Sequence, residues 1–467
     1  MDPARISRSL GILVTLAGAA AAQTWTQLLP APYPTTLARR TGGLAYDPIQ
    51  GKLLMHGGLQ SGPTLTLDDT WTFDGATWAQ PTLTSPTPPP RWGHRMVLDS
   101  RRLRIVTFGG RSPTTTATAN DTWEWDGANW QQVLTPQSAN PRAFYSMAFD
   151  ARRGKVVMYG TQSGSTLGTA GGNQTWEYDG ATWTQVVTAF VPPGLETPAM
   201  TYDKGRGVTV MFGGWNGASP GVMHDLTWEH DGVDWVQRTT ATRPVARYRA
   251  SCDYDDARGR VVMYGGFGNA TALQDTWEYD GNDWTQVQTG GPAKSTEVYF
   301  AYSPALQAFV HFGGSGPGGT NNETWLYTGP SNAIAASFGQ GCPTSAGLPA
   351  LTATTTPVLG TTYTLDLSNG PASTFAFVLH GFGNLRWPLG YLPAELSAFG
   401  ASGCRLEVDP AITSVIAVSG TGQQLLPFPN NPAFANLQLY TQAAIFDAGA
   451  PNGTGGMTNA VHAVLGN

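Results

Sequence analysis

Arg91-Trp92-Gly93-His94 is the densest run of side chains in this chain able to bind or process a ligand. A guanidinium offers two parallel bonds to a carboxylate or an acidic sugar. An indole offers a flat apolar face with one donor, and an imidazole can change charge near neutral pH. Arg91 belongs to a column: Arg39, Arg91, Arg142 and Arg247 each stand eight residues before an Asp that closes an apolar stretch, with Leu195 and Ser295 filling the two remaining places. The favoured reading of that column is bonding between neighbouring repeats to loop carbonyls; the competing one is a partial ring that holds an anion. Trp92, Trp215, His94 and His224 lie near variable loops. A ligand site is therefore expected on Arg91, Trp92, His94, Arg142, Trp215, His224 and Arg247. No catalytic residue, metal ligand set or cofactor is expected, because two scattered histidines are not a metal signature.

These residues are carried by a repeat. Tryptophan pairs seven residues apart recur at Trp71/Trp78, Trp123/Trp130, Trp176/Trp183, Trp228/Trp235 and Trp277/Trp284, but position 332, seven after Trp325, is Asn. The missing half lies at the other end, where Thr24-Trp25-Thr26-Gln27-Leu28 reads like Asp283-Trp284-Thr285-Gln286-Val287. A ring closed by its own N-terminal strand follows, and closure removes two unpaired sheet edges. Every unit but the third, which has Gly160-Thr161, also carries a Gly-Gly pair (Gly57-Gly58, Gly109-Gly110, Gly213-Gly214, Gly265-Gly266, Gly313-Gly314), expected to leave room for the indoles. Each of the first five carries an Asp-Gly turn, at Asp74, Asp126, Asp179, Asp231 and Asp280. The paired tryptophans are expected to pack between strands and sheets, not to stack sugars. His56 and His230 stand in aromatic columns and Cys252 in a Leu/Met column, so all three read as packing residues.

The spacing and the Gly-Gly and Trp columns resemble the kelch family of β-propellers, including the central domain of galactose oxidase-like proteins, over residues 23–330. The resemblance implies an all-β fold with a six-bladed propeller whose loop face binds ligands. Oxidases of that kind need a copper held by two His and two Tyr, and a Cys linked to a Tyr. No such set is present, so the resemblance carries the fold and not that activity.

With 12% charged residues, 58 Gly, 34 Pro and 16 Trp, the chain has the profile of many short strands joined by turns. Arg5 and Arg8, the apolar run Leu10–Gly18 and Ala19 to Ala22 fit a signal peptide over residues 1–22 and thus an exported protein, periplasmic, extracellular or on the cell surface. Its removal takes the net charge from −6 to −7, which gives no reason to expect nucleic acid. The apolar run is too short for a membrane span of ~20 residues. Residues 331–467 hold only seven charged side chains, two Arg and five Asp or Glu. They are expected to form a β-sandwich resembling an uncharacterised C-terminal domain of exported bacterial proteins, stapled by Cys342 and Cys404. The function expected is that of a non-catalytic interaction protein binding a glycan or a protein; a carbohydrate-active enzyme at the channel mouth is the alternative.

Overall fold

The computed structural model describes residues 24–464 with interruptions, the longest at 30–37, 161–172, 396–403 and 429–437. The expected signal peptide lies outside the described residues. So does part of the variable loops.

Six four-stranded antiparallel sheets account for the repeats. Sheet 1 is built from Gly43–Asp47, Lys52–Gln60, Leu65–Phe73 and Trp78–Ala79, and sheets 2 to 5 repeat this order as far as Trp284–Gln288. Sheet 6 takes Tyr299–Ser303, Ala308–Phe312 and Thr324–Thr328 from the end of the repeats, and its outermost strand is Thr24–Leu28. Trp25 pairs with Tyr327 and Gln27 with Trp325 in that antiparallel register. First strands of consecutive sheets touch around a complete circuit, with Gly43–Asp47 meeting both Arg95–Asp99 and Tyr299–Ser303.

The tryptophans show why the circuit closes. In every sheet the outermost Trp donates its indole N–H to the Thr just before the first Trp of the pair in the preceding sheet: Trp130 to Thr70, Trp183 to Thr122, Trp235 to Thr175 and Trp284 to Thr227, at 2.9–3.0 Å. Trp78 of sheet 1 reaches Thr324 of sheet 6, and Trp25 of sheet 6 reaches Thr276 of sheet 5, each at 3.0 Å. The N-terminal strand thus occupies the same place in the bonding cycle as its five counterparts. Burial of each ring and satisfaction of its one donor are achieved together. Trp78, Trp130, Trp183, Trp235 and Trp284 are fully buried.

The Gly-Gly pairs serve a different purpose from making room for indoles. The first glycine of each pair adopts a positive φ, and a Cβ there would come within 2.4–2.9 Å of the carbonyl that begins the next repeat: Arg91 for Gly57, Arg142 for Gly109, Arg247 for Gly213, Ser295 for Gly265 and Arg39 for Gly313. The second glycine donates its N–H to the same carbonyl. Only glycine fits this crossing, so the column marks the seam between sheets. The Asp-Gly turns are as expected: each Asp side chain accepts the backbone N–H groups two and three residues on.

Beyond the repeats, Ile334–Phe338, Thr374–Gly381, Ile412–Val418, Gln438–Phe446 and Gly455–Val464 form a five-stranded sheet. Ala350–Ala353, Thr362–Ser368 and Gly422–Pro427 form a three-stranded one. Alternating residues of both sheets, among them Leu351, Leu365, Val378 and Val461, share one buried cluster. Cys342 and Cys404 are joined in a disulfide spanning 62 residues, beside Tyr440 and Met457. The Tyr440 phenol lies within electrostatic reach of Tyr46, Asp256 and Tyr302, at the end of the first strands away from the Gly-Gly pairs.

Candidate functional site

The arginine column lies between the sheets, beneath the surface. Arg91 is 3% exposed; its guanidinium grips Asp121 through two bonds of 3.0 and 2.7 Å and also donates to the Gly109 carbonyl. Arg39 holds Asp69 and Arg247 holds Asp275 in the same way. The carboxylate in turn accepts the indole N–H of the first Trp of the pair, Trp71, Trp123 or Trp277. Each Asp is held below the usual carboxylate range: burial pushes it up, but the bonds and charge of its Arg, with the indole N–H, more than offset this. Arg142 faces Gln174 instead, and burial without a carboxylate draws it down to about 10. In the fourth repeat Leu195 replaces the Arg and Leu226 the Asp, and the Trp228 indole N–H is left without a partner. Arg91, Arg142 and Arg247 are therefore spent inside the wall and do not face a ligand.

His94 also lies inward. It is fully buried, its ring 5.9 Å from that of His56, and neither ring nitrogen has a hydrogen-bond partner. Burial, then the charge of His56, Arg91 and Arg95, holds it neutral at any physiological pH. His224 is half-buried at the surface with its pKa lowered by burial. Cys252 lines the axial channel as a protonated thiol, raised by burial.

What reaches the loop face is the pair of positions just after the arginine column. The first of them, Arg40, Trp92, Ala143, Glu196, Tyr248 and Thr296, bridges to the residue after the Gly-Gly pair in five cases, among them Trp92 to Arg111, Glu196 to Trp215 and Tyr248 to Phe267. Trp92 meets Phe144 edge-on at 5.2 Å, with the Arg111 guanidinium 5.6 Å above the indole. Trp215 meets Tyr248 at 5.7 Å, and Tyr248 meets Phe267 at 5.7 Å. Between these two half-buried aromatic clusters runs a chain of ions: Arg40 pairs with Glu297, Glu297 with Arg249 at 2.9 Å, and Arg249 with Glu196 at 3.6 Å. Burial raises the Glu196 carboxyl, and one of its oxygens has no hydrogen-bond partner. Of the seven residues expected at the site, Trp92 and Trp215 are the two placed in these clusters.

The second position forms a closed backbone ring. Thr41, Gly93, Phe144, Thr197, Arg249 and Glu297 all have φ between 44° and 70°. Each donates its N–H to the carbonyl of the one before, from Gly93 to Thr41 at 2.6 Å around to Thr41 bonding Glu297 at 3.0 Å. Five of the six are not glycine, and a left-handed conformation costs each about 1–2 kcal/mol. The mutual hydrogen bonds over-determine that geometry. The ring seals the axial channel toward the loop face, leaving a cavity of only about 10 Å³ at its centre. Among the described residues no group of three His, Cys, Asp or Glu is placed to hold a metal ion.

The repeat itself is recognisable. Residues 43–229 match the family model of the KLHDC2/KLHL20/DRC7 Kelch-repeats domain. Over those residues the chain is similar to a Kelch-repeat domain, and the ring of six four-stranded sheets is a β-propeller. No curated protein matches the chain in sequence. A solved structure titled "Structure of YjhT" is similar over 63% of this chain and 96% of that one, at 14% identity with a TM-score of 0.49. A kelch propeller serves as a scaffold for interaction or for catalysis, so its use is decided by the residues mounted on it.

The sequence reading missed Arg40, Arg111, Phe144, Glu196, Tyr248, Arg249 and Glu297 on this propeller. Their signal was present one and two columns after the arginines and, for Arg111, just after the Gly-Gly pair, where residue type changes freely from repeat to repeat. Positions that vary within an otherwise regular repeat are those the scaffold does not need.

Proposed function

We propose that the chain is an exported, non-catalytic interaction protein whose propeller loop face binds a glycan or protein partner. The observation that carries this reading is the pair of aromatic clusters, Trp92/Phe144 and Trp215/Tyr248/Phe267, presented on one face with Arg40, Arg111 and Arg249. Half-exposed Trp, Tyr and Arg are the side chains on which binding energy concentrates. The face is shallow: beneath it the channel is sealed and His94 is out of reach. Export is supported by the leader-like N-terminus and by the Cys342–Cys404 disulfide.

The test is binding of the chain from residue 23 onward to a broad glycan array, and to cell-surface protein extracts, beside Trp92→Ala/Trp215→Ala. Selective binding lost in that variant supports the reading; binding unchanged in it removes the loop face from consideration. A second reading, a carbohydrate-active enzyme at the channel mouth, draws on Glu196, whose raised carboxyl and unpartnered oxygen sit beside Arg249. Turnover of a glycan bound by the array, abolished by Glu196→Gln while binding persists, would favour it.

A further inference from the structure

Below the hydrogen-bonded ring the axial channel widens into a cavity of about 190 Å³, walled by the first strands of the propeller. Its wall is mixed: Leu44, Met96, Met147, Met200 and Phe300 line it, with Cys252 in the same column, beside polar groups that include Ser251, Thr201 and Asp253, whose carboxylate accepts from the Thr201 hydroxyl and from the backbone N–H groups of Tyr254 and Tyr302. Two cations line this space: Lys204, which is paired with Asp256, and Arg95. Arg95 occupies a column filled elsewhere by Gly43, Ser146, Ala199, Ser251 and Tyr299. It lines both the cavity and the small space within the ring, so its guanidinium lies at the closed end of the channel. Among the described residues that guanidinium has no hydrogen bond and no ion pair. The Arg95 backbone pairs with Phe108 in the sheet and bonds the hydroxyls of Tyr145 and Thr107.

The groups facing Arg95 do not neutralise it. Glu297 comes within electrostatic reach, but its two oxygens are taken by Arg40 and Arg249. The Cys252 thiol and the Tyr145 phenol are held protonated by burial, and Tyr145 donates its proton to the Phe108 carbonyl. The serines beside it give their protons away, Ser146 to the Pro198 carbonyl and Ser251 to that of Val298. Around the ring, Arg40, Arg95, Arg111 and Arg249 face Glu196 and Glu297, an excess of two positive charges. Burial accordingly lowers the pKa of Arg95. Arg95 is half-buried, its guanidinium open to the cavity and without a counter-charge, and an apolar side chain of its size would line the same wall without carrying an unpaired charge there.

We infer that the axial cavity is a binding site for a small carboxylate with an apolar tail, whose carboxylate pairs with Arg95 at the closed end while its tail fills the methionine-lined space. The guanidinium fork matches a carboxylate through two bonds. An apolar cavity of ~150 Å³ accommodates a benzene ring, so this one is sized for a benzoate or a short fatty acid. The ring bars passage from the loop face. Entry is from the opposite end, where Tyr46, Lys204 and Asp256 rim the cavity. This site is independent of the loop-face interaction.

Benzoate and hexanoate are the probes, with phosphate and benzyl alcohol as anion-only and tail-only controls. Thermal stability of the intact chain is followed as each is titrated, since a ligand bound only to the folded state stabilises it by mass action. The labelling rate of Cys252, the free thiol in the cavity wall, is followed in parallel with a small neutral thiol reagent. The expected result is a saturable rise in melting temperature and at least a tenfold slower labelling with benzoate or hexanoate, neither seen with the two controls. Arg95→Met should fold without any added anion and lose both effects, while Trp92→Ala keeps them. Equal responses to phosphate and benzoate would overturn the assignment of an apolar tail. Responses that survive in Arg95→Met, or no response to either carboxylate at millimolar concentration, would overturn the site.

Discussion

The arginine column can be tested by copying what the fourth repeat already does. Replacing Arg91 with Leu removes the two bonds to Asp121 and the donor to Gly109, leaving a carboxylate whose side chain is 19% exposed without its cation. Breaking a buried pair from one side costs about 3–5 kcal/mol, and the partial exposure of Asp121 places this case near ~3 kcal/mol. Adding Asp121→Leu recreates the Leu195/Leu226 pair of the fourth repeat and strands no charge. What stays unsatisfied is the Trp123 indole N–H, as for Trp228 in the native protein, at about 1–2 kcal/mol. The double variant should therefore be more stable than Arg91→Leu by at least ~1 kcal/mol, with a coupling energy of about 2–3 kcal/mol in the complete cycle. Urea melts followed by tryptophan fluorescence give the midpoints, which are compared directly because a chain of this size need not unfold in one step.

The pair also makes a pH prediction with a definite sign. Asp121 is depressed in the folded protein, so its stabilisation is present above the unfolded carboxylate value of ~3.9 and is lost as pH falls through the lower folded value. In Arg91→Leu the buried carboxyl loses its cation and rises, so part of that variant's deficit should disappear on acidification below about pH 5. A double variant no more stable than Arg91→Leu would refute the reasoning, because the column would then act by filling space and not by charge.

Further predictions rest on other parts of the propeller. Trp25→Ala should destabilise by about 3 kcal/mol and promote association through the opened edge of sheet 6, whereas Leu29→Ala, at an 81% exposed side chain, should change nothing; melting curves and elution profiles decide. His56 is fully buried and held well below its ordinary pKa, first by burial and then by Arg91 and Arg39, so unfolding takes up a proton below about pH 6.5 and stability falls as pH drops. His56→Phe, the residue of its column in other repeats, should remove about one proton from that uptake at pH 5, worth ~1.4 kcal/mol per pH unit. Trp92→Ala/Trp215→Ala should leave the urea midpoint nearly unchanged while abolishing ligand binding, since neither ring belongs to the buried columns.

Much of the propeller was legible because its determinants are local and repeated. A Trp seven residues after another, an Asp-Gly turn between them and an orphan Trp25 at the start dictate a hairpin and its closing strand with little reference to the rest. The Arg91–Asp121 pairing was legible in principle as well, because Arg and Asp appear together in three repeats and are replaced together by Leu195 and Leu226. What sequence position could not reveal is which of three adjacent residues faces water. In the run Arg91-Trp92-Gly93-His94, the Arg is buried by a partner 30 positions later, the Trp is half-exposed, and the His is buried against His56. Those directions are set by the left-handed turn at Gly93, and that turn is held by carbonyls and N–H groups from neighbouring sheets. The sequence by itself determined the number, type and closure of the sheets, since these follow from short-range periodicity and turn chemistry. Only the tertiary structure decided which polar side chains were spent inside the wall, which formed the loop face and which was left alone in the channel, because burial of a charge depends on what the other sheets bring to meet it.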